Sequence, residues 1–394
     1  MTNDLLQNPS EFEEFYQLYL YTFNNPDTSQ RRAYFFKRCE HALVYGKKTA
    51  TGSLASGLLS LPFEVDFHGT RYQTKGICDV TTAPEASGQG HASNLLQTAL
   101  EDMAKQGTTL SYLAPFSFKF YRRFGYEHVF DHCKYTLESS QVPQIKPKEN
   151  SHHIKRGMLQ DNLPTVADFY ARLVKKDGLS GGLVRAKWWW EYLSIKNTWH
   201  CALDFDDRRQ VAGYILYEIQ SDNLIVKEFL FDDPIAYQNL LTFIFAHQNT
   251  VESFVFDTPT PTYHGNLLTE PRNVQCVIEP YMMARIVDLR DFLVRYPYQK
   301  SNFEPLRLAV TDENLPANNG VWEIAASGQK VTVKRVNGTN VPDKLTIQQL
   351  TKIFFGASSV RLLAATGAVT LRPETVNALE QLIVPEPPEL VDYF

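Results

Sequence analysis

The segment from Gly76 to Met103 constrains the fold more than any other, because its pattern switches from strand to helix across one glycine-rich turn. Gly76–Thr82 (GICDVTT) is β-branched enough to read as a strand. Pro84 ends it, since proline has no N–H to give to a ladder. Ser87-Gly88-Gln89-Gly90 then makes a tight turn that exposes backbone N–H groups. Beyond it, Ala92, Leu95, Leu96, Ala99, Leu100 and Met103 fall on one face of an amphipathic helix. Strand, turn and helix together bring unpaired N–H groups and the positive end of a helix dipole to one spot, which suits a pyrophosphate. Taken alone the signal is weak, because glycine turns into helices are common.

The elements that follow strengthen it. Thr109–Leu113 reads as a second strand and Phe118–Phe124 as a short helix stopped by Gly125. Without the upstream turn, Tyr121 on that helix would be read as a core aromatic. After Gln141–His153, a proline-containing polar linker, come helical stretches at Leu163–Lys176 and Val184–Leu193. Strands follow at Val211–Ile219 and Leu224–Phe231, a helix at Ile235–His247 and a strand at Ser253–Asp257. A helix after Leu289 precedes a boundary near residue 300. The last part has strands around Leu306–Val310, Val321–Ala325 and Lys330–Arg335, then helices near Thr346–Phe355 and Arg372–Ile383. The division this predicts is 1–145, 146–297 and 298–394.

Bulk properties exclude several classes. A net charge of −5 spread over 394 residues argues against a nucleic-acid binder, which concentrates basic charge on one face. Five cysteines at wide spacings, without a CxxC pair, argue against structural zinc and a disulfide framework. No apolar run reaches the roughly 18 residues that a spanning helix needs. The N-terminal MTNDLLQNPSEFEEF is acidic where a signal peptide is basic. The expectation is a soluble cytoplasmic protein without nucleic-acid or membrane partners.

The run FKFYRRFGYEHVF, Phe118–Phe130, some thirty residues after the Pro84…Gly90 turn, resembles the signature of the GNAT N-acetyltransferases. Three further features extend the resemblance to the Eis-type subfamily. The middle segment has the same strand–helix–strand order but Asp232-Asp233-Pro234 in place of a glycine turn. Met282–Leu293 (MMARIVDLRDFL) resembles the segment that leads into the last domain, and the chain ends in Val391-Asp392-Tyr393-Phe394. The fold class implied is α/β (α+β): two GNAT-type mixed-sheet domains followed by a sterol-carrier-protein-like α+β domain. The second GNAT-like domain would not hold the cofactor, because its two carboxylates repel a pyrophosphate.

The resemblance implies transfer of acetyl from acetyl-CoA to an amine (aminoglycoside-, polyamine- or lysine-like) on a small molecule or peptide, in a homo-oligomer, with the hexamer as the implied assembly. Val80, Thr81 and Thr82 would pair with the pantetheine arm. Gly88, Gln89, Gly90, His91, Ala92 and Ser93 would cradle the pyrophosphate, and Phe116 and Ser117 would line the thiol end. Tyr121 would protonate the departing thiolate, and the carboxylate of Phe394 would take a proton from the amine. Asp27, in the polar turn NNPDTSQ, borders the substrate pocket in the resembled enzymes and is a candidate amine ligand, a plain turn residue being the alternative. No metal is implied. The family's turn carries several arginines, whereas this one has Ser87, Gly88 and Gln89; Lys119, Arg122 and Arg123 are the cations near enough in sequence to compensate. The rival reading is a non-catalytic oligomeric protein that binds CoA or an apolar ligand.

Other conspicuous residues carry less. His152-His153 has no further ligands in the sequence to make a metal site. Successive Trp188, Trp189 and Trp190 cannot all face one side of a helix. Glu11, Glu13 and Glu14 read as a solvated face of the first helix.

Overall fold

The computed structural model describes residues 4–143, 152–259, 270–328, 330–337 and 341–394. The chain forms two compact units. Unit 1 comprises Met1–Phe130, Leu179–Leu183 and Tyr281–Phe394; unit 2 comprises Asp131–Gly178 and Val184–Pro280.

In chain order, α1 (Pro9–Thr22), α2 (Ser29–Cys39), β1 (Leu43–Lys48), β2 (Leu54–Phe67) and β3 (Thr70–Thr82) come first. Then follow α3 (His91–Lys105), β4 (Leu110–Leu113), α4 (Phe118–Arg122), β5 (Glu127–Glu138), β6 (His153–Met158) and α5 (Leu159–Asp177). The middle continues with β7 (Ser180–Leu183), α6 (Lys187–Lys196), β8 (His200–Phe205), β9 (Val211–Gln220), β10 (Asn223–Phe231), α7 (Pro234–Phe245), β11 (Ser253–Thr258) and β12 (Val274–Ile286). The last elements are α8 (Leu289–Arg295), β13 (Phe303–Thr311), β14 (Gly320–Ser327), β15 (Lys330–Val336), β16 (Lys344–Thr346), α9 (Ile347–Phe354), α10 (Val360–Ala365) and α11 (Pro373–Leu382).

In unit 1, β1, β2, β3, β4 and the Tyr281–Ile286 half of β12 lie side by side, and β7 pairs with the far end of β2. Of these strands, among the described residues, only β3 and β4 run parallel. A parallel neighbour needs a crossover, and α3 supplies it. The face of α3 expected to be apolar is buried: Leu95, Leu96, Ala99, Leu100 and Met103 pack with Ile77, Leu113 and Tyr121. Each large side chain so buried stabilises the unit by about 1.5–3 kcal/mol. A second sheet, ordered β15-β14-β13-β16, belongs to the same unit.

A fully buried ion pair ties elements of this unit together. Arg285 Nη2 lies 2.5 Å from Asp312 Oδ2, both side chains are inaccessible, and Arg285 also donates to the carbonyl of Phe124. Asn318 donates to the same Asp312 carboxylate at 2.9 Å. Burial pulls the Arg285 guanidinium below its ordinary pKa, opposed by the charge of Asp312.

In unit 2 the strands run β5-β11-β10-β9-β8-β6, β5 contributing from Asp131 onward. Here too one pair is parallel, β10 with β11, joined by helix α7. The sequence places α7 well but starts α5 four residues late, because Pro164 looks like a helix opener. The helix begins at Leu159 and carries Pro164 inside it. The tryptophan helix starts at Lys187 rather than Val184, with Trp189 and Trp190 buried and Trp188 half-buried. Of the expected linker Gln141–His153, residues 144–151 lie outside the described residues; His153 already opens β6 and stacks on Phe205.

Arg285→Met strands the Asp312 charge in the core. The variant should lose about 3–5 kcal/mol in urea unfolding, and Arg285→Met with Asp312→Asn should recover part of that loss.

Candidate active site

The ladder between β3 and β4 is short. It runs from Thr74–Leu110 to Ile77–Leu113 and stops. On its other side β3 stays paired with β2 as far as Thr82–Ser56. Beyond Leu113 the chain continues through Ala114 and Pro115, and Pro115 has no N–H to extend the ladder. One edge of Cys78–Thr82 therefore leaves β4, and a cavity of about 810 Å³ fills the fork. Cys78, Asp79, Val80 and Thr82 line it from β3, and Ala114, Pro115 and Phe116 from the other arm.

The opening of α3 forms the cavity's next wall. Gly88 and Gly90 have φ of 76° and 82°, a region where a side chain is strained, so the turn expected at Ser87–Gly90 requires glycine at both positions. Gly90 is the N-cap of α3, without a side-chain capping bond or an acidic residue in the first turn. Main-chain N–H groups at such a helix start have no intrahelical acceptor. His91, Ala92 and Ser93 line the cavity with Ser87, Gly88 and Gly90. Helix α7 is built the opposite way. The carboxylate of its N-cap Asp233 accepts from the N–H groups of Ile235 and Ala236 at 2.7 and 2.9 Å, so the donors free in α3 are taken.

Tyr121 lies on the one-turn helix α4, capped by Ser117 through Phe120 N–H at 3.2 Å. Gly125, at φ 79°, ends the turn. Tyr121 is 2% exposed and lines the cavity. Burial, then the neighbouring Tyr126, Cys78 and Tyr393, push its phenol well above the ordinary tyrosine pKa.

The C-terminus is docked rather than frayed. Phe394 is 5% exposed, its ring centroid 4.8 Å from that of Phe63. Tyr281 O–H donates to the carbonyl of Val391 at 3.1 Å, and its ring meets Tyr393. Tyr393 and Phe394 both line the cavity. Gly76 makes room for the tail: a Cβ there would stand 2.5 Å from the Phe63 ring and 2.6 Å from the Phe394 ring.

Thus Tyr121, Phe394, Val80, Thr82, Gly88, Gly90, His91, Ala92, Ser93 and Phe116 share one cavity. Thr81, Gln89, Ser117 and Asp27 are not among its lining residues. Thr81 is buried, its carbonyl accepting from Ser56 Oγ at 2.6 Å. Gln89 bonds back to the carbonyl of Glu85, and Ser117 serves as the cap of α4. Asp27 accepts from the Tyr16 hydroxyl at 2.6 Å and lies 3.5 Å from Arg32, while Thr22 and Phe23 at the end of α1 do line the cavity. Of the three nearby cations, Arg123 lines it and Arg122 pairs with Glu127.

Sequence reasoning missed Cys78, Asp79 and the partner of Asp79. Between the pairs Cys78–Leu59 and Thr81–Gly57, β3 has two residues where β2 has one, a β-bulge. Asp79 sits in it at φ 51°, a left-handed conformation worth about 1–2 kcal/mol of strain in an ordinary residue. Arg38 of α2 meets it with Nη2 2.7 Å from Oδ2. The signal was present: aspartate is depleted in strands and tolerates left-handed φ.

Two stretches, residues 6–129 and 181–286, match the model of an acetyltransferase (GNAT) domain, and residues 289–391 match that of a sterol carrier protein domain. A conserved protein of unknown function from Enterococcus faecalis V583, described as a probable N-acyltransferase, has the same structure over 98% of each chain, at 32% identity and a TM-score of 0.91. The chain belongs to the GNAT acetyltransferases, in the Eis-type arrangement. Two more distant solved structures share the fold: a GCN5-related N-acetyltransferase from Anabaena variabilis (22% identity, 98% of each chain, TM-score 0.85) and Eis1 from Mycobacterium abscessus (19%, 99% of each chain, 0.80). No curated protein matches the chain. GNAT domains use acetyl-CoA as a substrate, and membership of this family makes the chain an enzyme rather than the non-catalytic rival. Among the described residues no cluster of metal-ligating side chains is found, and no helix is long and apolar enough to cross a membrane.

Gly76→Ala should overpack the Phe63–Phe394 contact, lower stability by about 1–3 kcal/mol, and speed release of the terminal phenylalanine by carboxypeptidase.

Proposed function

We propose that the protein transfers the acetyl group of acetyl-CoA directly to an amine, with Tyr121 as general acid and the Phe394 carboxylate as general base. The observation that carries this reading is one cavity holding the open start of α3, Tyr121 and a docked C-terminus. Its size, about 810 Å³, suits a large ligand. Acetyl-CoA supplies an acyl carbon activated by a thiolate leaving group.

The free N–H groups of α3 and the Gly88–Gly90 turn would hold the pyrophosphate. Arg123 is the cation in the cavity wall that offsets the turn's lack of arginine. The main chain of Val80 to Thr82, on the edge that leaves β4, would take the pantetheine arm, with Phe116 and Ser117 toward the thiol. The terminal carboxylate takes a proton from the substrate ammonium, directly or through water, and frees the nitrogen lone pair. Nitrogen attacks the carbonyl carbon, the carbon–sulfur bond breaks, and the thiolate leaves with the proton of Tyr121; the nitrogen's second proton passes to water, from which Tyr121 is reprotonated. Tyr121 meets the charge that builds on sulfur. Burial weakens Tyr121 as an acid, but it strengthens the hydrogen bond that the phenol donates to an anion beside it. The reaction needs no covalent enzyme intermediate.

Aminoglycoside-, polyamine- and lysine-like amines fit this chemistry. Asp27 would favour a cation near the rim, although Tyr16 and Arg32 already engage it. The reading extends to a cytoplasmic homo-oligomer, a hexamer, which light scattering tests directly.

Tyr121→Phe should lower kcat by about 10²–10⁴-fold while calorimetry shows acetyl-CoA binding unchanged, and removal of Phe394 alone should do likewise. Wild-type turnover in both variants would contradict the assigned roles.

A further inference from the structure

One residue of the cavity wall, Asp79, belongs to a charge pair that the transfer chemistry does not use. Among the described residues, six non-glycine positions have positive φ, and of these only Asp79 lines the cavity. It is part of the bulge, where β3 has just left β4. Arg38 reaches it from α2 with Nη1 3.3 Å from Oδ1 and Nη2 2.7 Å from Oδ2, and the two side chains are 5% and 9% exposed. The same Nη1 stands 3.8 Å from the sulfur of Cys78, the residue before the bulge. Tyr34 and Phe35 flank the guanidinium, their ring centroids 5.8 and 5.9 Å away. A buried ion pair is a poor stabiliser compared with apolar packing. A left-handed aspartate adds strain. Both costs fall on a stretch of main chain that lines the cavity.

Resting on the acetyl-transfer reading above, we propose that Arg38 and Asp79 are positioning residues: their ion pair anchors the bulge to α2 and fixes the free edge of Cys78–Thr82 against the acyl group. Neither residue takes part in a bond change. Loss of the anchor leaves acetyl-CoA bound through α3 but lets the thioester carbonyl lose its alignment, and a small misplacement at the reacting centre is expensive in rate.

The test uses the full chain, acetyl-CoA, and spermidine, neomycin and lysine amide as acceptors. Arg38→Met should cut kcat by roughly 10–100-fold with the KM for acetyl-CoA within about threefold, and Arg38→Lys should restore part of the rate. Because Arg38→Met strands a buried carboxylate, the deciding protein is Arg38→Met with Asp79→Gly. It buries no unpaired charge, and glycine adopts the left-handed conformation freely. A low kcat in this stable double variant, with acetyl-CoA binding retained, supports the proposal. Wild-type kcat there reduces the pair to a structural staple and overturns it. If the unmodified protein binds acetyl-CoA but acetylates none of the three amines, the underlying reading fails and the positioning role with it.

A separate observation in unit 2 carries a second inference. The sulfurs of Cys133 on β5 and Cys276 on β12 stand 2.9 Å apart, Cys133 buried and Cys276 half-buried. We infer that the pair is a disulfide-forming site. The Cys276 thiolate attacks oxidised glutathione and releases one glutathione. The Cys133 thiolate then displaces the second, so two thiols are oxidised as one glutathione disulfide is reduced. After treatment with oxidised glutathione, denaturation and alkylation, two of the five thiols should be lost and a peptide linking Cys133 to Cys276 should appear by mass spectrometry, absent in Cys133→Ser. Five alkylated thiols, or a lasting glutathione adduct at Cys276, would overturn it.

Discussion

The parting of β3 from β4 after four paired residues is the constraint from which the site follows. Parallel strands joined by a crossover helix place the start of that helix beside the end of the first strand. Because β4 ends at Leu113 and Pro115 follows, the edge of β3 there is left without a ladder partner just where α3 begins. The fork thus presents main-chain groups along one arm and helix N–H groups at its mouth. Tyr121 and the C-terminal aromatics occupy the remaining sides. No single side chain creates this cavity; the register of two strands does.

Two of the parallel pairs show how little separates the proposed cofactor site from a plain crossover. β3-α3-β4 and β10-α7-β11 have the same order of elements. In the first, two glycines with positive φ lead into a helix whose first N–H groups have no side-chain cap. In the second, Asp233 caps the helix with its own carboxylate, which both occupies the donors and places a negative charge where a phosphate would go. One capping aspartate is enough to change what the helix start can bind.

Much of this was legible in the sequence because it rests on local rules. Gly76–Thr82, the Ser87–Gly90 turn and the stripe from Ala92 to Met103 each follow from a period or a backbone requirement, and the structure has all three. The strands β6, β8 and the first half of β12 were not legible. Their residues carry no clean alternation, and β12 begins on largely exposed positions where burial imposes no pattern. The Arg38–Asp79 pair joins residues 41 apart, a spacing that no local rule relates. Gly76 read as an ordinary strand residue, and its need for glycine emerges only once Phe394 is seen packed against it.

The central claim, that the fork in unit 1 is the acetyl-CoA site and the helix start in unit 2 is not, is tested most directly by amide hydrogen exchange with and without acetyl-CoA. The account predicts slowed exchange in peptides covering Cys78–Thr82 and His91–Asn94, with no change at Ile235–Tyr237. Protection at Ile235–Tyr237 instead, or none at either place at saturating acetyl-CoA, would contradict it.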